Sequence, residues 1–347
     1  MPHMKKHFTS TYGWLLILPM LLLLAASCKK DKVADTDPPK ITGVTNLTDR
    51  NHQLASTDYG TWIMIKGRHL ATTKSVVFNT VAASDSLIYA DDTSVTVKIP
   101  AVLPHPSQNP VTVTTQYGSD TYQFLILQPP PLIYSFDPVT GVQDDAVTIK
   151  GDYFGGVSDV KFGTTAAQIV SSTKTEIKVK VPAGIQTAYI YVTTASGTVK
   201  SNLIFGFSAM LYDETIAATW YNSTFGGTSV FDNASPVRRG SKSIKSTWNG
   251  WGAFRISKNA PTLSSAGYTG IKFSIYVDQN SVGKKIKVAI SGNETLGYTF
   301  TTNEANKWLD IQIPFSNLGN PATITNVIIK EFSNVAREVY IDDIGLY

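Results

Sequence analysis

Along most of the chain, apolar and polar residues alternate in short runs. Ile271, Phe273, Ile275 and Val277 interleave with Lys272, Ser274, Tyr276 and Asp278, which predicts a strand with one face in a core and the other open to a ligand. Comparable runs occupy residues 243–247, 253–256, 285–290, 298–301, 309–314, 327–330 and 339–342. Eight or nine strands beyond about residue 207 suit a jelly-roll sandwich. Upstream, between residues 39 and 207, similar runs are punctuated by Gly, Pro, Asn and Asp at the spacing of smaller sandwiches. One segment departs from alternation. Residues 14–26 are continuously apolar, which is short of the roughly 20 residues a permanent bilayer span requires.

The upstream region contains a repeat. Trp62-Ile-Met-Ile-Lys-Gly67 recurs as Ala146-Val-Thr-Ile-Lys-Gly151, and Val95-Thr-Val-Lys-Ile-Pro100 as Ile177-Lys-Val-Lys-Val-Pro182. Val113-Thr-Thr115 with Gly118 is matched by Val192-Thr-Thr194 with Gly197. Copies separated by about 80 to 90 residues are whole domains rather than solenoid turns. Gly163 in the second copy is replaced by Asn79 in the first, and both residue types suit a turn. The predicted organisation is a signal over 1–27, a tether over 28–38, sandwiches over 39–127 and 128–207, and a jelly roll over 208–347. Three prolines, Pro129 to Pro131, mark the first junction as extended and semi-rigid.

Composition supports an all-β chain, with 42% hydrophobic and 16% charged residues. The net charge of +4 is spread along the sequence and makes no electrostatic case for nucleic acid. A single cysteine, Cys28, excludes any disulfide within the chain. It sits at the end of the apolar run, after Lys5, Lys6 and the small residues Ala25-Ala-Ser27, in the layout of a secretory signal. Leu24-Ala-Ala-Ser-Cys28 resembles the bacterial lipobox, in which the cysteine is lipidated and becomes the mature N-terminus. Membrane attachment through Cys28 is what that resemblance implies. The charged stretch that follows reads as a tether.

Pro131-Leu-Ile-Tyr-Ser-Phe-Asp-Pro138, then Val147-Thr-Ile-Lys-Gly-Asp-Tyr-Phe154 and Val160-Lys-Phe-Gly163, resemble the IPT/TIG immunoglobulin-like domain; the first copy shows a looser form. In the C-terminal region the ordered landmarks are Leu211-Tyr-Asp-Glu214, Gly240-Ser-Lys-Ser-Ile244, Lys307-Trp-Leu-Asp-Ile-Gln-Ile-Pro314 and Val339-Tyr-Ile-Asp-Asp-Ile-Gly-Leu-Tyr347. They are similar to those of carbohydrate-binding modules with a galactose-binding-like jelly roll. That resemblance implies a structural calcium held by Asp213 or Glu214 with Asp342, joined by Asp232. Calcium takes six to eight oxygen ligands, and carboxylates at strand ends are a chemically reasonable source.

The sharper cluster is aromatic. Trp220-Tyr221 and Trp248-Asn-Gly-Trp251-Gly252 bring together three of the six tryptophans, and both segments are expected to be loops. Indole faces stack on the C–H faces of sugars, while Asn222, Asn249 and Arg255 can bond hydroxyls. Trp248, Trp251, Asn249, Arg255, Trp220, Tyr221 and Tyr276 are the candidate glycan-binding residues; the alternative for each ring is packing over the sandwich. Catalysis lacks its usual components. No histidine follows His105 and no cysteine follows Cys28, which excludes Ser-His and Cys-His units from the jelly roll. Its acids form no recognisable catalytic pair.

Across the full chain this architecture resembles the surface glycan-binding lipoproteins of Bacteroidetes polysaccharide-utilisation systems. The resemblance implies a non-catalytic protein, lipid-anchored in the outer membrane and displayed at the cell surface. It would bind polysaccharide and present it to an outer-membrane transporter. The alternatives are an adhesin or scaffold that binds protein partners through the TIG-like domains, and a glycan-active enzyme.

Overall fold

The computed structural model describes residues 36–347, which are all-β apart from short 3-10 turns. The signal, Cys28 and most of the tether lie outside the described residues. The chain divides into two compact units: residues up to Pro104 with Asn109–Leu125, and His105–Gln108 with Ile126–Tyr347. The second and third of the modules read from the sequence therefore share one unit.

The first unit is an immunoglobulin-like sandwich. One sheet has the order Lys40–Thr45, Trp62–Arg68, Ser94–Lys98, Ile88–Ala90, and the other Val81–Ala82, Thr73–Phe78, Val111–Thr115, Gly118–Tyr122. The second sandwich repeats this order with Leu132–Asp137, Ala146–Asp152, Glu176–Lys180, Gln168–Ser172 and Thr165–Ala166, Asp159–Phe162, Thr187–Thr194, Gly197–Gly206. Its inward positions, among them Val147, Ile149, Phe162, Ile177, Ile190 and Phe205, form one buried cluster.

The repeated motif has a steric cause. In each copy the Lys-Gly glycine lies against the carbonyl of the neighbouring strand: a Cβ on Gly67 would stand 2.3 Å from Lys40 O, and one on Gly151 1.9 Å from Leu132 O. Three residues on, Leu70 and Phe154 fill the space beside these glycines and are fully buried. Asn79 (φ 56°) and Gly163 (φ 61°) occupy the same left-handed turn, which asparagine tolerates better than most residues. Both first strands also carry a bulge, between Ile41 and Gly43 in one copy and between Ile133 and Ser135 in the other.

Beyond Phe207 the chain forms the jelly roll. Its central element is the sixteen-residue strand Ser243–Lys258, which the sequence pattern predicts as two strands and a loop. Its first half pairs with Arg337–Leu346 and Phe225–Asn233, and its second half with Asn326–Glu331 and Trp220–Asn222. It therefore belongs to both layers of the sandwich. One layer continues through Lys285–Ile290 to Tyr298–Thr301, and the other through Gly270–Val277 to Trp308–Pro314. Both layers contribute to a single core that includes Ile244, Phe254, Ile275, Val288, Ile329 and Ile341.

The outward face of Gly270–Val277 is not wholly open, contrary to its alternation. Lys272 and Ser274 are buried because the second sandwich covers that end. Lys272 Nζ donates to Ile204 O (2.8 Å) and Val139 O (3.3 Å) and lies 4.0 Å from the centroid of the Phe207 ring. Gln312 accepts from Ile204 N (2.7 Å), and its amide donates to the Tyr189 hydroxyl (3.3 Å). Arg238 spans the joint, bonding Asp137 on one side and both carboxylate oxygens of Asp310 on the other. Only Phe207 and Ser208 separate the last strand of the second sandwich from Ala209–Tyr212, the first of the jelly roll.

Two outcomes are expected. Gly151→Ala should lower unfolding free energy by about 1–3 kcal/mol through overpacking, measured by urea denaturation. Burial pushes the Lys272 ammonium down to about 7, outweighing the pull of Asp310 and Asp343, whereas an unfolded lysine titrates near about 10.4. Between those values the unfolded chain holds more protons, so the stability of the wild type relative to Lys272→Met should rise with pH from about 7 to about 10. A melting-temperature difference that stays flat across that window would contradict this.

Candidate functional site

The parity of Ser243–Lys258 sorts the aromatic cluster. Ile244, Ser246, Trp248, Phe254 and Ile256 are buried, whereas Thr247, Asn249 and Trp251 are exposed and Arg255 half-buried. Trp248 is fully enclosed in the core, with the Arg337 guanidinium 5.5 Å from its ring. Trp220 is also in the core, at 7% exposure. Neither ring offers a face to a ligand: contrary to the expectation from the sequence, Trp248 and Trp220 are packing residues. The reason is that their segments are paired strands, in which alternate side chains must enter the sandwich.

Trp251 and Tyr221 are the outward aromatics, 47% and 46% exposed. Trp251 has φ 66°, a left-handed conformation uncommon for a large side chain. Its neighbours explain how it is held. A Cβ on Gly252 would stand 2.1 Å from Gly226 O, and one on Gly250 2.4 Å from Asn334 Oδ1. These glycines permit close backbone packing rather than leaving space for a ligand. The Trp251 amide donates to the fully buried Glu331 (3.2 Å), which also accepts from Ser333 N (2.7 Å) and lies 3.7 Å from the Arg337 guanidinium. The indole meets Phe332 edge-on, with centroids 5.4 Å apart, and the Lys287 ammonium stands 4.7 Å from the centroid of the Phe332 ring.

The same outward face continues across the layer. Phe225 lies opposite Ala253 and is flanked by the Arg255 guanidinium (5.0 Å) and the Lys330 ammonium (5.7 Å). Arg255 Nε donates to Ser223 O and Oγ (3.0 and 3.1 Å), and Lys330 pairs with Glu294 at 2.6 Å. Tyr221 stands opposite Ser257. The result is a platform bearing two exposed rings, with Phe225 packed over Ala253, Ala289 and Ile328 between them and cations and hydroxyls around it. Sequence reasoning missed Phe332, Lys287 and Glu331. Parity was the available signal: in Asn326–Glu331 the core residues Val327 and Ile329 share register with Glu331, so Lys330 and Phe332 fall on the outer side.

Tyr276 belongs to the other layer. It packs against Trp308 (5.7 Å) and Tyr340 (6.0 Å), each edge-on, so it does not join the Trp251 platform. The nominated acids lie close enough to act together on the Tyr212 hydroxyl, but Asp213, Glu214 and Asp342 each have partners. Asp213 is held by Arg239 Nη2 (2.6 Å), Glu214 by the backbone and hydroxyl of Ser241 (2.8 and 2.7 Å), and Asp342 by the amides of Arg238 and Asp343 (3.0 and 2.9 Å). Arg239 also bonds Asp343, so a guanidinium supplies positive charge beside these acids. Asp232 is on the exposed edge of Phe225–Asn233. Among the described residues no group of three or more His, Cys, Asp or Glu side chains is placed to hold a metal ion. A calcium ion of the kind the family resemblance implies would meet carboxylates that already have arginine, serine and backbone partners. Burial and the neighbouring Asp343 push the Asp342 carboxyl up to about 7.

Comparisons with known proteins agree with this architecture. Residues 131–206 match the IPT/TIG domain family. An IPT/TIG domain-containing protein of Bacteroides ovatus is 28% identical over 159 residues, which is 43% of this chain and 32% of that protein. The chain thus spans about a third of the length of this curated relative. The surface glycan-binding protein PbSGBP-B from Prevotella bryantii shares the fold, with 15% identity, 89% of this chain and 98% of that chain covered, and a TM-score of 0.56. SGBP-B from a complex xyloglucan utilization locus in Bacteroides uniformis aligns with 17% identity over 89% of this chain and 99% of that chain, at a TM-score of 0.44.

The two tryptophans should behave oppositely on substitution. Trp248→Ala should cost about 3–5 kcal/mol, the range for emptying a buried aromatic site. Trp251→Ala should cost under about 1 kcal/mol, as expected of an exposed side chain. Urea denaturation of both variants measures the contrast.

Proposed function

We propose that the chain is a non-catalytic glycan-binding protein whose jelly roll captures polysaccharide on the Trp251 platform. The observation that carries this reading is the mounting of Trp251. A large indole kept outward on a left-handed backbone by a buried carboxylate and an aromatic neighbour is costly to maintain without a use. Its exposed face suits a sugar ring, and Tyr221, Arg255 and Asn249 share its outer side. Affinity should be modest, micromolar to millimolar, corresponding to about 4–8 kcal/mol.

The reading is non-catalytic because the acids near the platform are engaged. Glu294 pairs with Lys330, and Glu331 is buried beneath Trp251. The lipobox-like Cys28 would anchor the protein in the outer membrane, with the tether and sandwiches carrying the platform away from the lipid. Display at the cell surface and delivery to an outer-membrane transporter follow from the same reading. The name borne by the Prevotella neighbour supports the glycan-binding part of this reading.

The test is a glycan-array screen of the chain lacking residues 1–28, with xyloglucan included, followed by affinity electrophoresis of Trp251→Ala. The variant should lose at least about tenfold in affinity, a loss of about 1.4 kcal/mol, with its circular dichroism unchanged. Retardation equal to that of the wild type would remove the platform as the binding site.

A further inference from the structure

Between the second sandwich and the jelly roll lies a cleft of about 580 Å³, within the usual range for small-molecule sites, roughly 300–1,000 Å³. One wall is the strand Leu132–Asp137, and the other is the start of Trp308–Pro314 with the loop before it. Each wall supplies an aromatic ring. Tyr134 comes from the sandwich and is 68% exposed; Trp308 comes from the jelly roll and is braced edge-on by Tyr276.

Tyr134 is the extra residue of a bulge, since Ile133 faces Gly151 while Ser135 faces Lys150. A bulge leaves one residue unpaired and re-aims its side chain. The first sandwich provides an internal control. Its first strand has the same bulge, with Ile41 opposite Gly67 and Gly43 opposite Lys66, and the extra residue there is Thr42. The shared fold therefore requires the bulge but no aromatic in it. The tyrosine occurs in the copy whose bulge borders the jelly roll.

The charges in the cleft restrict what it can hold. Arg238 is bonded to Asp137 and to both oxygens of Asp310, and Lys307 pairs with Glu304. With these cations neutralised, no surplus positive charge remains to attract an anion. What the cleft presents is the rings of Tyr134 and Trp308, with Phe136 and Phe300 also in its lining, carboxylates that keep lone pairs beyond their ion pairs, and the side chain of Asn303. That set suits a neutral, polyhydroxylated ring: aromatic faces for its C–H faces, carboxylates for its hydroxyls. The walls are also pre-set, because Lys272, Gln312 and Arg238 join the two modules, and a rigid site loses less entropy on binding.

We propose that this cleft is a second sugar-binding site, gripped by Tyr134 and Trp308, that takes a neutral oligosaccharide. The proposal rests on the glycan-binding reading and extends it. The Trp251 platform and the cleft share no lining residue, so one chain could hold two glycan segments and gain avidity without either site being tight.

The test is isothermal titration of the chain lacking residues 1–28 with a xyloglucan oligosaccharide, using Trp251→Ala, Tyr134→Thr and the double variant. Tyr134→Thr places the residue of the first sandwich in the same bulge, so the fold is preserved. The wild type should bind two oligosaccharides per chain, each single variant one, and the double variant none. Binding of one oligosaccharide, abolished by Trp251→Ala and untouched by Tyr134→Thr, overturns the cleft and leaves the platform standing. The reverse pattern supports the cleft and overturns the platform. No heat from this oligosaccharide, together with no binding to any neutral glycan on an array, overturns both.

Discussion

A strand that serves two layers must keep the same set of alternate side chains in the core while its backbone changes partners. Ser243–Lys258 meets this constraint from Ile244 to Ile256, and the placement of the platform depends on it. Even positions enter the core, so Trp248 becomes part of the packing; odd positions leave it, so Trp251 and Arg255 do not. The change of partners occurs around Gly250 and Gly252, where neighbouring backbone and Asn334 leave no room for a Cβ. Trp251 lies between these glycines, and the buried Glu331 secures its amide.

Much of the fold was legible from local rules. The repeat, its turn residues and most strands follow from alternation and from glycine at crowded backbone positions. Gly67 and Gly151 show why the repeat survives: each faces a carbonyl too closely for any other residue. The aromatic motif was less legible because its glycines looked like loop punctuation. Counting parity through the motif would have separated Trp248 from Trp251, and the same count would have placed Phe332 on the outer side.

What could not be read from the chain was which distant groups would meet. Arg239 reaches Asp343 across a separation of 104 residues, and Lys272 reaches Val139 across 133. Alternation placed Lys272 on an outer face correctly but could not show that a second sandwich would cover that face. The acids at the strand ends had the same difficulty. The family resemblance implies calcium there, yet an arginine, a serine and backbone amides bond their oxygens. Short-range patterns specify which way a side chain points, whereas the neighbour it meets is a property of the assembled unit.

The two-residue connection at Phe207 and Ser208 carries a consequence for how such chains diversify. Exchanging the jelly roll alone would remove Lys272, Gln312 and Arg238 from the second sandwich and uncover Phe207. Exchanging the sandwich alone would leave a buried ammonium without its carbonyl partners. A crossover at residue 207 therefore breaks contacts on both sides of the joint. The inheritable cassette is the sandwich and jelly roll together, and selection on the joint acts on both as one locus of sequence.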